Sequence, residues 1–388
     1  MTYLHFTLKV SEIQSLIENS VKDEISKHIL TTVFNQLMEE QRTQYIQANE
    51  YERTGTRISQ RNGYDERSFT TRIGTLELKV PRTRDGKFSP TLFERYQRNE
   101  QALFASMVEM YISGVSTRKA SNIVEQLCGT SVSKSFVSKL TAELDPMVKE
   151  WRNRTLEETA FPYVVTDVLY IKVRENNRVV SKSCHIAIGI NNEGYREIIG
   201  FMIQDGESEY SWKNFFEHLK NRGLNGTKLV ISDSHKGLVS AIRESFTGVS
   251  WQRCQVHFMR NILEHVPKKD SKPFREAVKN IFRYTDIELA REAKNELINK
   301  FIHQKRYEKA CEILDEGFED AFQYTVVANG HTRLRSTNSI ERLNQEIRRR
   351  EKVIRIFPNT DSAIRFIGAV LMDIHEEWIG STRKYIHF

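Results

Sequence analysis

Apolar residues recur at every fourth position through Ile25, Ile29, Val33 and Leu37, which predicts a helix within residues 11–50 carrying one apolar stripe. Core packing is the plain expectation for that stripe, and a dimer interface the alternative. Residues 51–98 are richer in Gly, Thr and Arg, and TRIGTLELKVP reads there as a short β segment ended by its proline. Residues 101–144 read as three short helices. Ser116 or Thr117 caps TRKASNIVEQLCG, whose buried face is Ala120, Ile123, Val124 and Leu127, and Gly129 stops it. Ser133 caps KSFVSKLTAEL, with Phe136, Leu140 and Leu144 inward. A helix, a short turn and a helix form the arrangement whose second helix enters the DNA major groove, although plain bundles share it. Lys134, Ser135, Ser138 and Lys139 would be the exposed reading residues.

From residue 163 the period changes from helical to strand-like. YVVTDVLYIKV, SCHIAIGIN and REIIGFMIQ are three strands separated by polar turns, NN at 176–177 and NNEG at 191–194, which predicts an antiparallel meander. YSWKNFFEHLKNRG follows as a helix with Gly223 as its stop. KLVISD is a short strand ending on Asp233, GLVSAIRESF a helix, and VSWQRCQVH a further strand. The order βββαβαβ predicts a mixed α/β layer. Residues 271–325 read as wholly helical, with Ala290, Ala293, Leu297 and Phe301 in one stripe and Tyr307, Cys311, Leu314, Phe318 and Phe322 in another. NSIERLNQEIRRREKV, residues 338–353, is a highly charged helix.

Composition narrows the class. The 388 residues suffice for two or three domains with real cores, and the net charge of +7 admits nucleic acid as a partner. Charge is unevenly placed: residues 51–98 hold eleven Lys/Arg against six Asp/Glu, and residues 331–355 hold eight against three. Either cluster alone reads as a solvated face. Cys128, Cys184, Cys254 and Cys311 are scattered without a CxxC pair, which argues against a disulfide framework and a structural zinc site. No long apolar run is present, so the expectation is a cytoplasmic protein without export signal or membrane span.

Asp167 stands inside the most strand-like stretch of the chain, where a carboxylate is poorly suited and is rarely buried unpaired. Asp233 closes the fourth strand. If a mixed sheet sets the two strands side by side, both acids meet near one sheet edge, where ligands bind. Adjacent carboxylates repel, and a divalent cation resolves the conflict. Mg²⁺ takes hard oxygen ligands and leaves positions for phosphate and water, with Mn²⁺ as a substitute. A third acid, for which Glu341 is the candidate, would let two ions sit about 3.5–4 Å apart and clamp an in-line phosphoryl displacement. Arg342, Arg348, Arg349 and Arg350 on the same helix offer contacts to a phosphate backbone. Taken singly, Asp233 reads as a strand-end residue and Glu341 as a solvated helix acid.

LVISDSHKGLVSAIRESF and WQRCQVHFMRNILEHVPKK resemble the Mutator-type DDE transposases of bacterial insertion sequences. So do RNGYDERSFTTRIGTLELKVPRTRDGKF, GESEYSWKNFFEHLKNRGL and NSIERLNQEIRRREKVIRIFP, in the same order over nearly the whole chain. The resemblance implies a ribonuclease-H-like mixed-sheet core with an all-helical insertion, preceded by a mainly helical DNA-binding region containing the helix-turn-helix. The implied domains are 1–98, 99–150, 151–261 with 331–388 as the core, and 262–330 as the insertion. That insertion accounts for the 108 residues between Asp233 and Glu341.

The family's catalytic acids fall on Asp167, Asp233 and Glu341. Its basic residue seven positions after the glutamate falls on Arg348, and its C/D-x-x-H signature on Cys254 and His257. As two donors, that pair is too few for a zinc site, and its expected role is structural or supporting to the active site. The implied activity is cleavage and joining of double-stranded DNA at terminal inverted repeats and in target DNA, with two Mg²⁺ ions. Synapsis of two element ends calls for at least a dimer, associated with the bacterial nucleoid. The competing readings are a nuclease or resolvase that does not join strands, and a non-catalytic helix-turn-helix regulator. A glycosidase built on a carboxylate pair is more distant.

Overall fold

The computed structural model describes residues 22–71, 74–91, 101–128, 141–267, 269 and 271–387. The chain divides into two compact units, residues 1–142 and 143–388.

In the first unit, helix α1 (Lys22–Ile46) packs on a hairpin of β1 (Arg61–Thr71) and β2 (Gly74–Thr83). Leu30, Phe34 and Met38 meet Phe69, Leu76, Leu78 and Val80. The buried stripe of α1 is therefore displaced from the predicted one: Met38 and Ile46 are fully buried, whereas Ile29 is 39% exposed. Arg42 belongs to the buried stripe although it is charged. Its guanidinium pairs with Glu39 at 2.7 Å and donates to the carbonyls of Gly63 and Arg82 at 3.0 and 3.1 Å, so its charge is matched. β1 was hidden by its polar sequence. β2 runs two residues past Pro81 instead of ending there; in a two-stranded sheet both strands are edges, which tolerate proline.

Two more helices follow, α2 (Gln101–Ile112) and α3 (Thr117–Cys128). Ser116 Oγ accepts from Lys119 N at 3.2 Å and so caps α3, and Ala120 and Val124 are buried as expected. The predicted reading helix, with Lys134, Ser135, Ser138 and Lys139, lies outside the described residues.

The second unit is built on a five-stranded sheet. After α4 (Leu144–Arg152), strands β3 (Tyr163–Glu175), β4 (Arg178–Ile190) and β5 (Arg196–Gln204) form the antiparallel meander. The β3–β4 loop is Asn176–Asn177, both left-handed (φ 47° and 61°), which suits a two-residue hairpin turn. β6 (Leu229–Ser232) pairs parallel with β3, and β7 (Ser250–Arg253) parallel with β6, giving the order β5-β4-β3-β6-β7. Helices α5 (Glu209–Asn221) and α6 (Lys236–Ser245) join these strands. Ser208 and Ser211 close a capping box at the start of α5. Trp212, Phe215, Phe216, Leu238 and Ile242 bury one sheet face over Val164, Ala187, Ile199 and Val230.

Past β7 the predicted strand stops at Arg253, and QVH opens a helix instead. Five helices follow: α7 (Gln255–Glu264), α8 (Lys272–Ile281), α9 (Ile287–Phe301), α10 (Lys305–Gly317) and α11 (Gln323–Val327). The stripe Tyr307, Cys311, Leu314, Phe318 and Phe322 is buried as read. Gln252 fastens these helices to β7, donating to Ala321 O at 2.7 Å and accepting from Tyr324 N at 2.8 Å.

Two closing helices, α12 (Asn338–Glu351) and α13 (Thr360–Ile379), complete the unit. α12 packs on β3 and β4, and α13 on β5, β3 and α4. Gly368 permits the α13–α4 approach, since a Cβ there would lie 2.3 Å from Val148 Cγ1. Among the described residues no helix is long and apolar enough to cross a membrane.

Candidate active site

β6 is four residues long and β3 thirteen, so the parallel pairing covers only the start of β3. The last paired residues are Val165 and Ile231. Two residues further along lie Asp167, still inside β3, and Asp233, just past the carboxyl end of β6, where the parallel pairing stops. A sheet opens a ligand crevice at such a place.

α12 closes the crevice. Ile340, Leu343 and Ile347 bury one side of it, and Glu341 and Asn344, three residues apart, turn toward β3. Asn344 Nδ2 donates to Asp167 Oδ2 at 2.9 Å. Glu341 sits in the first helical turn, a favourable place for negative charge. Its Oε1 accepts from Thr337 Oγ1 at 3.1 Å and lies 3.4 Å from His257 Nε2. Asp233 Oδ1 accepts from His235 N at 3.2 Å, fixing the turn into α6.

Burial raises the Asp167 carboxyl to about 7. The charges of Asp233 and Glu341 add to the rise, and the Val168 N–H and His257 oppose it. All three predicted acids, spread from residue 167 to 341, thus share one electrostatic neighbourhood.

Cys254 and His257 belong to the same neighbourhood. Cys254 precedes α7, and its N–H donates to Ser232 O at 2.8 Å, next to Asp233. Its Sγ lies 3.2 Å from Thr337 Oγ1. The Cys254 sulfur pushes His257 up to about 8, against the effect of burial. Burial acts to raise the Cys254 thiol, and His257 and Thr337 outweigh it, leaving the thiol below its ordinary value. Donor atoms of Cys254, His257 and Glu341 lie within 4.8 Å of one another, so the two-donor pair acquires a third donor from far along the chain.

The basic residues differ in their freedom. Arg342 is exposed, and Arg348 is half-exposed and 3.4 Å from Glu351. Arg349 pairs with Glu346 at 2.6 Å. Arg350, 13% exposed, holds Glu346 and Asp373, each at 2.8 Å, and so ties α12 to α13.

Sequence reasoning missed Asn344, Thr337 and a cluster on Glu207. Glu207 is 9% exposed, accepts from Tyr170 Oη at 2.8 Å and Trp212 Nε1 at 3.2 Å, and lies 3.4 Å from His235 Nδ1. The helical spacing of Asn344 from Glu341 was the available signal for the first of these.

These shifts predict a pH dependence of stability. Asp167 titrates near 3.8 unfolded and near 7 folded, so between those values the folded protein keeps a proton that the unfolded chain has lost. Stability therefore declines as pH rises through that window. His257, raised from 6.5 to about 8, contributes stability that is complete below 6.5 and lost as pH rises through 8. Both trends have the same sign. The melting temperature of metal-free protein should fall from pH 5 to pH 8, and Asp167→Asn should flatten the part below pH 7. Calorimetry in EDTA buffers measures this; a parent Tm that is flat or rises over the window would contradict the assignment.

The profile of the Mutator family of transposases matches residues 1–381. The transposase of insertion sequence IS256 in transposon Tn4001 from Staphylococcus aureus is 75% identical over 388 residues, covering 100% of both chains. The ISRM5 transposase of Rhizobium meliloti is 40% identical, covering 92% of this chain and 89% of its own. The IS1081 transposase of Mycobacterium tuberculosis is 37% identical over 94% of this chain and 87% of its own.

Proposed function

Since the chain belongs to the Mutator family of transposases, we propose that Asp167, Asp233 and Glu341 are the metal-binding catalytic acids of a DNA-cleaving and strand-joining enzyme. The observation that carries this reading is that Asp167 and Asp233 each follow the last β3–β6 pair by two residues while Asn344, one turn after Glu341 on α12, bonds Asp167 Oδ2 at 2.9 Å. The strand order, with three antiparallel strands followed by two parallel ones, supports a ribonuclease-H-like core over residues 151–261 and 331–388. Residues 262–330 are then the helical insertion. Residues 1–98 and 99–150 are the DNA-binding and oligomerisation region, the latter with the helix-turn-helix.

The site fits Mg²⁺ or Mn²⁺. Its strand and helix acids form an all-oxygen set, and Asp233 and Glu341 add to the rise that burial gives the Asp167 carboxyl. Bound there, two divalent ions supply an activated water and neutralise charge on the leaving oxygen.

The chain's own groups supply geometry. Asn344 holds Asp167 Oδ2, and Thr337 and His257 hold Glu341 Oε1. His257, with its raised proton affinity, carries positive charge near pH 7 beside the acids. Cys254 supports His257. Arg348 lies two turns along α12 from Glu341, on the same side, and contacts the DNA backbone with Arg342 and Arg349. Water attacks a phosphodiester at the element end, and the broken P–O bond leaves a 3′-hydroxyl. That hydroxyl attacks a target phosphodiester and displaces its 3′ oxygen. No covalent protein intermediate forms, so positioning carries the catalysis. The substrate is double-stranded DNA, at the terminal inverted repeats and the target. Two ends are held together, so at least a dimer acts, on the bacterial nucleoid.

Purified protein is expected to convert a labelled duplex bearing the element's end into a 3′-hydroxyl product, and to join a pre-cleaved end to target DNA, both only with Mg²⁺ or Mn²⁺. Cleavage without joining would move the reading to a nuclease or resolvase. Specific binding with neither reaction would leave a regulator.

A further inference from the structure

A cleft of about 540 Å³ opens between the start of α12, the end of α13 with the residues after it, and the turn from β4 into β5. Six cations line it, Arg196, Arg333, Arg335, Arg342, Arg383 and Lys384, and Glu377 is the one acid of the lining. Among the described residues, none of the six lies within salt-bridge distance of a carboxylate. This differs from the rest of α12, where Arg349 and Arg350 are paired. Unpaired cations gathered in a concavity raise the local concentration of anions.

Arg196 is stacked and half-buried. Its guanidinium lies 3.9 Å from the centre of the Trp378 ring and 5.3 Å from that of Tyr385, which Arg333 also approaches at 5.3 Å. Burial holds Arg196 below its ordinary value, and Arg333 and Arg342 add repulsion.

The helix end that faces this cleft is uncapped: Thr337 makes no side-chain cap bond, and α12 is fourteen residues long. Ser339, in its first turn, lines the cleft, is 5% exposed and has no partner for its Oγ. An uncapped helix start with an unsatisfied hydroxyl and flanking arginines is suited to a phosphate group.

The volume suits one small ligand and not a duplex. Inorganic phosphate has no use for the aromatic lining. A nucleotide does, because bases stack on aromatic rings and on guanidinium planes. We propose that this cleft receives an unpaired nucleotide of the DNA strand being cut. Its phosphate lies at the first turn of α12 between Arg342 and Arg333, and its base lies against Trp378, Tyr385 and the Arg196 plane. The inference rests on the reading of Asp167, Asp233 and Glu341 as a DNA-cutting site, because Arg342, which lines the cleft, follows Glu341 directly on α12. A base reaches these rings only after leaving its duplex stack, so the strand is splayed beside the scissile bond.

The test uses the full chain in EDTA with the single-stranded pentanucleotide dT5. Binding should quench tryptophan fluorescence, and Trp378→Phe should remove the quench. Arg333→Glu and Lys384→Glu should each weaken binding roughly tenfold, with unchanged circular dichroism and melting. Two charge variants are used because Arg333 also donates to Tyr385 O. Phosphate should compete only at far higher concentration than dT5. Parent-like binding by both folded charge variants would overturn the proposal, and so would equal competition by phosphate, which marks an anion site only. Failure of the two readings is separable. If duplex ends are cut normally but both variants bind dT5 like the parent, the cleft inference alone fails. If dT5 binding follows the variants while no divalent-dependent cutting occurs, the acid-site reading alone fails.

Discussion

Asp167→Asn is expected to reduce cleavage of an inverted-repeat duplex by roughly 10³-fold or more while leaving the fold intact. Asparagine keeps the shape of the side chain and still offers an oxygen to Asn344 Nδ2, now 2.9 Å from Asp167 Oδ2. The substitution removes the charge that Asp233 and Glu341 already oppose in the folded protein. In EDTA at pH 8 the variant should therefore melt higher than the parent, because a buried repulsion is gone. Lost chemistry with gained stability is the signature of a residue kept for function. End-labelled substrate in Mg²⁺ measures the first and calorimetry the second. Cleavage within tenfold of the parent would remove Asp167 from the metal site.

Trp212→Ala should have the largest effect on stability. Trp212 is fully buried, with His185, Phe216 and Phe215 at ring-centre distances of 4.3, 5.6 and 6.1 Å. Truncating a buried aromatic of this kind costs about 3–5 kcal/mol. In a domain of this size that lowers Tm by about 10 °C. The indole Nε1 also donates to Glu207, which holds Tyr170 and flanks His235, two residues beyond Asp233. Cleavage should fall with stability, even below the new melting temperature. Scanning calorimetry with cleavage assays at 20 °C separates the two effects. A Tm change under about 2 °C would mean that the core relaxes around the loss.

How far the sequence announces this arrangement depends on the range of the interaction concerned. The strands of the meander, their Asn-rich turns and the Trp212 helix are local patterns, and the structure matches them. Asp167 stood out because a carboxylate inside an apolar strand contradicts its surroundings. The α1 stripe was misplaced for the opposite reason: period alone favours Ile29, whereas Arg42 is buried by carbonyls supplied from β1 and β2. No periodicity records that rescue. Cys254 read as part of a strand because its neighbours are β-formers, yet it starts a helix. Its grouping with Thr337 and Glu341 spans more than eighty residues. Asn344 went unnoticed because its only local mark is its helical spacing from Glu341, whereas its hydrogen bond reaches back to residue 167.

A ribosome delivers Asp167 and Asp233 with the sheet, and Glu341 only 108 residues after Asp233. Thr337 and Asn344 arrive in that same late segment. A polypeptide stalled or terminated ahead of α12 owns two strand acids but neither the third carboxylate nor the amide that steadies the first. On the proposed reading such fragments cannot break DNA, and competence to do so is deferred until α12 has been made.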